Sequence, residues 1–447
     1  MRRVISIWFV LLACCTADAQ LLKDLLDKAK TNHPLLKAKR FESAAKEQHV
    51  RYEKSTAIPS IEAGYQVNYA TYNNITGMAT AQHFVPISGP PSASNSNNAV
   101  FGSAGGLLMN WELFAFGQHK SRVGSAEASL QYQQADEENE VFQHQIRTAD
   151  AYLDLLMAQE LVKVYQRNLA RSEDNLRIVR SLARSGLRPG VDTALFKSEL
   201  AKTKIELLNF ERLRQEHQLK LSELLGENEN GSFEIDSSYC SALPALPDTI
   251  NSSSHPFINL ATSRLKISEV ERKSLQRSIY PRLSMWGSAY GRGSGIRYDG
   301  YTNAEDGLSL SRYNFGAGLV LSVPLLQFTR TQHQVHAQDA RVQADQERLN
   351  GVTLQINKQQ QLAAITLSNS LKVAIESPAF FEASRYAYKG LLSRYNSGLI
   401  NYTELIQSQY VLLQSEVDLK KAHIEAWKAL LFMAAVNGDL NIFTSQL

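Results

Sequence analysis

The chain has 447 residues and only three cysteines, Cys14, Cys15 and Cys240. Two of these fall in an N-terminal stretch that reads as a removable leader. The remainder keeps Cys240 alone, so no internal disulfide is expected and stability has to come from packing or assembly. An excess of charge of either sign is also lacking, with 47 Lys and Arg against 44 Asp and Glu. The formal net charge is +3, and losing the leader leaves the chain near neutral, which gives no electrostatic footprint for nucleic acid. Beyond the leader there is no run of about 18 apolar residues, which excludes a membrane-spanning helix; a membrane protein built from this chain has to be a β-barrel. His-Glu-x-x-His, Gly-x-Ser-x-Gly and Cys-x-x-Cys are all missing. The glycines at Gly291, Gly293 and Gly295 are not followed by a Lys-Ser/Thr helix start, so they read as loop and not as a phosphate cradle. His333 and His336, three apart, read as a solvated helix face. No cofactor, metal or enzymatic chemistry is expected.

What is present begins with the leader. Arg2 and Arg3 precede an apolar stretch from Val4 to Ala13, too short to span a bilayer, and Ala17-Asp18-Ala19 has the small residues of a signal-peptide cleavage site. Cleavage after Ala19 makes Gln20 the first mature residue. The alternative is a lipid-attachment cysteine at Cys14 or Cys15.

The rest of the chain is one pattern written twice. His33-Pro34 corresponds to His255-Pro256, and Pro59 to Pro281, 222 positions apart; Phe116 to Phe328, Ser185-Gly186-Leu187 to Ser397-Gly398-Leu399, and Gly226 to Gly438, 212 apart. An offset held over this distance indicates two copies of one supersecondary unit. The first repeat spans 20–227, a polar linker 228–253, the second repeat 254–438, and a short tail 439–447. Each repeat reads as helix, strand, loop, strand, long helix, turn, helix.

Residues 61–70 alternate apolar (Ile61, Ala63, Tyr65, Val67, Tyr69) with polar or small (Glu62, Gly64, Gln66, Asn68, Ala70), the period of a strand with unlike faces. Residues 101–113 return, with Trp111 and Phe114 placed for an interfacial aromatic girdle. The second repeat supplies strands at 282–291 and 312–324. Residues 71–99 and 293–309 read as loops. Each pair of strands precedes a long helical hairpin, 118–225 and 330–437. The first arms of these hairpins, 118–185 and 330–397, carry heptad-spaced apolar residues such as Leu169, Leu176 and Ala183, or Val335, Val342, Leu349 and Ile356, a coiled-coil stripe. Pro378 is expected to interrupt the second of them. Four strands cannot close a membrane barrel, whose smallest members have about 8, so protomers have to share one.

The ordered set Asn32-His33-Pro34, Ile58-Pro59-Ser60, Trp111-Glu112-Leu113-Phe114 with Gly117, Ala149 to Leu156, Ser185-Gly186-Leu187 with Asp192, Val323-Pro324-Leu325-Leu326, and Asn396-Ser397-Gly398-Leu399 with Glu404 resembles the outer-membrane factor family, the TolC-type efflux and secretion channels. The resemblance implies a mixed architecture: a membrane β-barrel, 12-stranded in a homotrimer with four strands per protomer, continuous with an α-helical coiled-coil barrel in the periplasm of a Gram-negative bacterium. It implies outer-membrane lipid, a periplasmic adaptor and an inner-membrane transporter of the RND or ABC type as partners, and a passive duct for their cargo. It sets the periplasmic tips at Gly186, Leu187, Gly398 and Leu399, and a candidate gate at Asp192, Tyr395 and Glu404. The chain departs from the family's best-known latch at Ile400, where an arginine is usual, and at Gln407, the position of a second acidic ring in the family pattern. A structural or adhesive coiled-coil protein of the envelope is the rival reading; paired membrane-length strands argue against it.

Overall fold

The computed structural model describes residues 22–71, 73, 94–227, 233, 235, 237–240, 242–247, 255–297 and 301–446. The expected cleavage site at Ala19 and Gln20, most of the loop 71–99 and much of the linker 228–253 lie outside them. In chain order the main elements are α1 (Leu22–Asn32), α2 (Pro34–Ser55), β1 (Ser60–Ala70), β2 (Val100–Phe114), α3 (Gln118–Arg184), α4 (Gly190–Leu225), α5 (Pro256–Arg277), β3 (Arg282–Ser294), β4 (Arg312–Ser322), α6 (Phe328–Asn396) and α7 (Tyr402–Asn437). No described helix is long and apolar enough to cross a membrane.

The chain divides into two compact units. One comprises residues 44–132 and 263–346 and holds the sheet. Its strands are antiparallel in the order β1-β2-β3-β4, so the two repeats meet at β2–β3. Register decides the chemistry of each face, because directly paired residues point to the same side. Tyr65, Gly105, Gly291 and Tyr313 lie in one cross-sheet row; Ala63, Leu107, Ala289 and Phe315 lie in another. This face is apolar, and away from the loop end it is uncovered, Phe315 being 92% exposed. The opposite face carries Gln66, Asn68, Ser288, Tyr290, Asn314 and several glycines. There Trp286 lies across Gly316 and Gly318, where a Cβ on Gly318 would come within 2.7 Å of its Nε1. Among the described residues β1 and β4 are edges with one free side each.

The other unit comprises residues 1–43, 133–262 and 347–447. Its main core gathers Leu22, Leu25, Leu26 and Ala29 of α1, spaced to form one helical face, with Tyr152 and Leu156 of α3, Leu221 and Leu225 of α4, and Trp427 and Leu430 of α7. Trp427 packs edge-on against Tyr239 at 5.1 Å and Phe443 at 6.1 Å between centroids, and its Nε1 donates to the carbonyl of Ala242 at 3.0 Å. Part of the linker is thereby built into the core.

Two details depart from expectation. α6 is not interrupted at Pro378. The proline leaves the carbonyl of Ala374 without its helical donor, and Ser377 Oγ donates to that carbonyl instead, at 3.2 Å. The heptad stripe is also not the buried one. Leu176 and Ile356 are buried, but Leu169, Ala183, Val335, Val342 and Leu349 are only partly so. In the last third of α3, Asn168, Ser172 and Asn175 are buried beside Leu176 and Val179, polar positions that a hydrophobic pattern passes over.

Candidate functional site

The turns that end α3 and α6 are built alike. Gly186 and Gly398 have φ of 73° and 79°, the left-handed conformation that favours glycine. Each closes its helix with the paired bonds of a Schellman cap: the amide of Leu187 donates to the carbonyl of Leu182 at 2.9 Å and that of Gly186 to Ala183 at 3.1 Å; Leu399 donates to Arg394 at 2.9 Å and Gly398 to Tyr395 at 3.0 Å. No atom lies within 4 Å of where a Cβ would stand on either glycine. Leu187 and Leu399 project beyond the turns, each 69% exposed.

Behind the turns the chain gathers residues from both repeats. Tyr395, in the last turn of α6, is fully buried, and its hydroxyl donates to Asp192 Oδ2 of α4 at 3.0 Å. Burial, followed by the bond to Asp192, raises the Tyr395 phenol far above its ordinary range, so it acts as a donor at any physiological pH. Phe196 packs on Tyr395 at 5.8 Å and on Tyr402 at 4.8 Å between ring centroids. Burial, with Glu199 nearby, pushes Tyr402 up to about 12.

Arg188 completes the arrangement. Its Nη2 donates to the carbonyl of Tyr395 and to that of Ile400, both at 2.7 Å, and its guanidinium carbon sits 4.2 Å from the centroid of the Tyr395 ring. The first repeat's turn thus clasps the second repeat's turn by two charge-assisted hydrogen bonds and a cation–π contact. Arg188 and Ile400 occupy equivalent places in the two repeats, at the same offset of 212 that relates Gly186 to Gly398. The guanidinium that is absent at Ile400 is present on the other turn. That offset was the sequence signal for Arg188.

The two acids are not alike. Asp192 is buried on Tyr395, whereas Glu404 is exposed and its amide donates to Oδ1 of Asn401, the N-cap of α7, at 3.0 Å. Gln407 is exposed; Ile400 is buried and contributes its carbonyl. One turn further on, a buried polar layer joins the helices: Gln409 donates to Asn168 Oδ1 at 3.2 Å and to Ser172 Oγ at 2.9 Å, while Asn175 donates to Gln409 Oε1 at 2.8 Å and to the Tyr388 hydroxyl at 3.1 Å. Beside it, Tyr410 bonds Glu199 and receives Lys202 at 3.1 Å. Among the described residues no group of three or more metal-binding side chains converges. The arrangement is a set of noncovalent fasteners around two turns.

Comparison with known proteins gives this assembly a context. The family model described as outer membrane efflux protein matches residues 25–227. The pyoverdine export outer membrane protein OpmQ of Pseudomonas aeruginosa is 23% identical over 236 residues, 52% of this chain and 48% of the relative. The chain thus matches about half the length of that relative. Among solved structures, the outer membrane protein VceC of Vibrio cholerae superposes with a TM-score of 0.76 at 15% identity, covering 94% of this chain and 96% of that one. The CmeC outer membrane channel of Campylobacter jejuni gives 0.75 at 14% identity, covering 93% and 85%. At these identities the likeness is one of fold, and it extends over nearly the whole chain.

Proposed function

We infer, for a chain that belongs to the outer membrane efflux protein family, that it forms one protomer of a trimeric channel in the outer membrane of a Gram-negative bacterium and serves as a passive exit duct for an inner-membrane transporter of the RND or ABC type, coupled through a periplasmic adaptor. The reading includes the two repeats, 20–227 and 254–438, as the units of the protomer.

The observation that carries it is the sheet. Four antiparallel strands present one apolar and one polar face and end in two free edges. Unpaired backbone groups are not tolerated in hydrocarbon, so β1 of one protomer has to pair with β4 of the next. Three copies give a 12-stranded barrel with the apolar rows toward lipid and the Gln66, Asn68 and Asn314 rows toward a lumen. The same sheet counts against an adhesive coiled-coil rod, which has no use for a lipid-facing surface.

The turns support a resting gate. Closure in this reading depends on Arg188 and Asp192 of the first repeat holding Tyr395 and Ile400 of the second, and the exposed Leu187 and Leu399 remain for an adaptor to grip. Opening requires only that these fasteners part.

Purified protein in mild detergent is expected to run as a heat-sensitive trimer, and in planar bilayers to give discrete conductance steps. A stable folded monomer that neither assembles nor conducts overturns the reading.

A further inference from the structure

We propose that the loop-side end of the lumen carries a binding site for anionic solutes with two or more phosphate or carboxylate groups, made by Arg292 of β3 and Arg312 of β4. The proposal rests on the trimeric channel reading only for which face is the lumen.

The two arginines are directly opposite each other in the β3–β4 register. They belong to the polar face: Arg292 pairs across β2 with Ala104, which pairs with Gln66 of β1, and the neighbouring cross-strand pair is Tyr290 with Asn314. Like charges directly opposed on a sheet face repel and are normally avoided or offset by a counter-charge. None is supplied here. Among the described residues neither guanidinium has an ion-pair or hydrogen-bond partner, while Arg297 in the loop above pairs with Asp306 at 3.2 Å.

Among the described residues the loop's acids, Glu305 and Asp306, do not pair with either arginine, and the described part of the loop packs on the other face. Ser309 and Gly307 carbonyls lie 2.1 and 2.8 Å from where a Cβ of Gly293 would be, and Gly293 points to the side opposite Arg292. A Cβ on Gly307 would fall 1.6 Å from the carbonyl of Phe101, so this packing needs glycine and fixes the loop there. At this level the polar face carries an exposed Arg312 and a half-buried Arg292 beside the buried Ala104, with hydrogen-bonding groups around them (Gln66, Tyr290, Asn314). The carboxylates of that face, Glu62 and Glu112, belong to the helix-side ends of their strands, and Glu112 is engaged by Arg122 at 3.1 Å. Paired planar guanidiniums suit the oxygens of phosphates and carboxylates. Backbone geometry sets their spacing, so the site favours anions that span two charges over chloride.

The test is single-channel recording from the full protein in bilayers of zwitterionic lipid, with inorganic tripolyphosphate added to one compartment at a time. Block from the loop side is expected at lower concentration than from the turn side. The double variant Arg292→Gln, Arg312→Gln should weaken loop-side block by about tenfold or more, the loss of charge-assisted contacts, while leaving the trimer and its conductance steps intact. The charge-retaining Arg312→Lys should keep most of the block. Block that is equal from both sides, or unchanged in the double variant, overturns the proposal. Should the double variant fail to assemble, the same comparison on the single variants Arg292→Gln and Arg312→Gln decides. A protein that forms no pore at all would instead overturn the channel reading.

Discussion

The guanidinium of Arg188 lies over the ring of Tyr395, 4.2 Å from its centroid, and holds the carbonyl of the same residue at 2.7 Å. A residue just past the end of α3 thereby fixes the end of α6, 207 positions later in the chain. Arg188→Ala removes both hydrogen bonds and the stacking contact, which together are worth on the order of 2–3 kcal/mol in a partly buried setting. The expected result is a larger single-channel conductance and greater sensitivity of cells to bulky antibiotics. Arg188→Lys should restore little of the closure, because an ammonium cannot serve two carbonyls and a ring in the same geometry. Conductance equal to that of the parent in both variants would mean that the turns are held elsewhere.

Tyr395 and Asp192 form the second fastener. Tyr395→Phe leaves a buried carboxylate without its donor and should cost about 1–3 kcal/mol at the turns. With Asp192→Ala added, the unpaired charge disappears, but so does the link, and the double variant should leak. Glu404→Ala, at an exposed position, should instead leave resting conductance nearly unchanged and mainly weaken block by divalent cations. Conductance recordings with and without added calcium separate the two effects.

Four glycines end helices in the left-handed conformation, yet they are not equivalent. Gly398→Ala meets only open space, so its cost is the backbone term alone, about 1–2 kcal/mol. Gly438 has the same cap with φ of 70°, but a Cβ there would stand 2.8 Å from His255 Cα and 3.0 Å from Pro256 Cδ. Gly438→Ala has to displace the start of α5 as well and should lower thermal stability clearly more than Gly398→Ala. Thermal melts of the two variants in the same detergent check the order.

Acid should weaken the helical unit before it weakens the sheet. His144 is buried against His33, with ring centroids 4.1 Å apart, and its Nε2 meets the carbonyl of Leu224 at 2.9 Å. Burial, more than any neighbouring charge, holds His33, His144 and His255 below the ordinary 6.5. A depressed folded-state value means that the unfolded chain binds protons first. The stabilisation is therefore complete above about pH 6.5 and is lost as pH falls from there through the folded values. His144→Gln should be less stable at neutral pH and show a flatter decline between pH 7 and 5. An unchanged slope would remove His144 from this effect.

The loops differ in what they tolerate. An epitope inserted within residues 74–93 should be accepted and be labelled on intact cells. The same insertion between Ala304 and Ser309 should disrupt the protein, because Gly307 is packed against the backbone of Phe101. Labelling of the first insertion only after the outer membrane is broken would reverse the proposed topology.

The sequence by itself determined the local elements. Period-two alternation marked 61–70 and 312–324 as strands, found at Ser60–Ala70 and Arg312–Ser322; heptad-spaced apolar residues marked 118–185 as one helical arm, found at Gln118–Arg184; and Ser-Gly-Leu at a fixed offset marked the paired turns. These are properties of a chain segment and its immediate neighbours, and a pattern of residue types encodes them directly. The tertiary structure alone decided which long-range partners those elements meet. Asn168, Ser172, Asn175 and Gln409 look like solvated helix residues until another helix supplies their hydrogen bonds. Ser377 carries a helix through Pro378 by bonding one freed carbonyl. Arg188 reads as a turn residue until Tyr395 is brought beneath it, and the pairing of β2 with β3 sets Arg292 opposite Arg312. A buried polar group is stable only when its partner is in place, and that partner is far away in the sequence, so its role is absent from any local pattern.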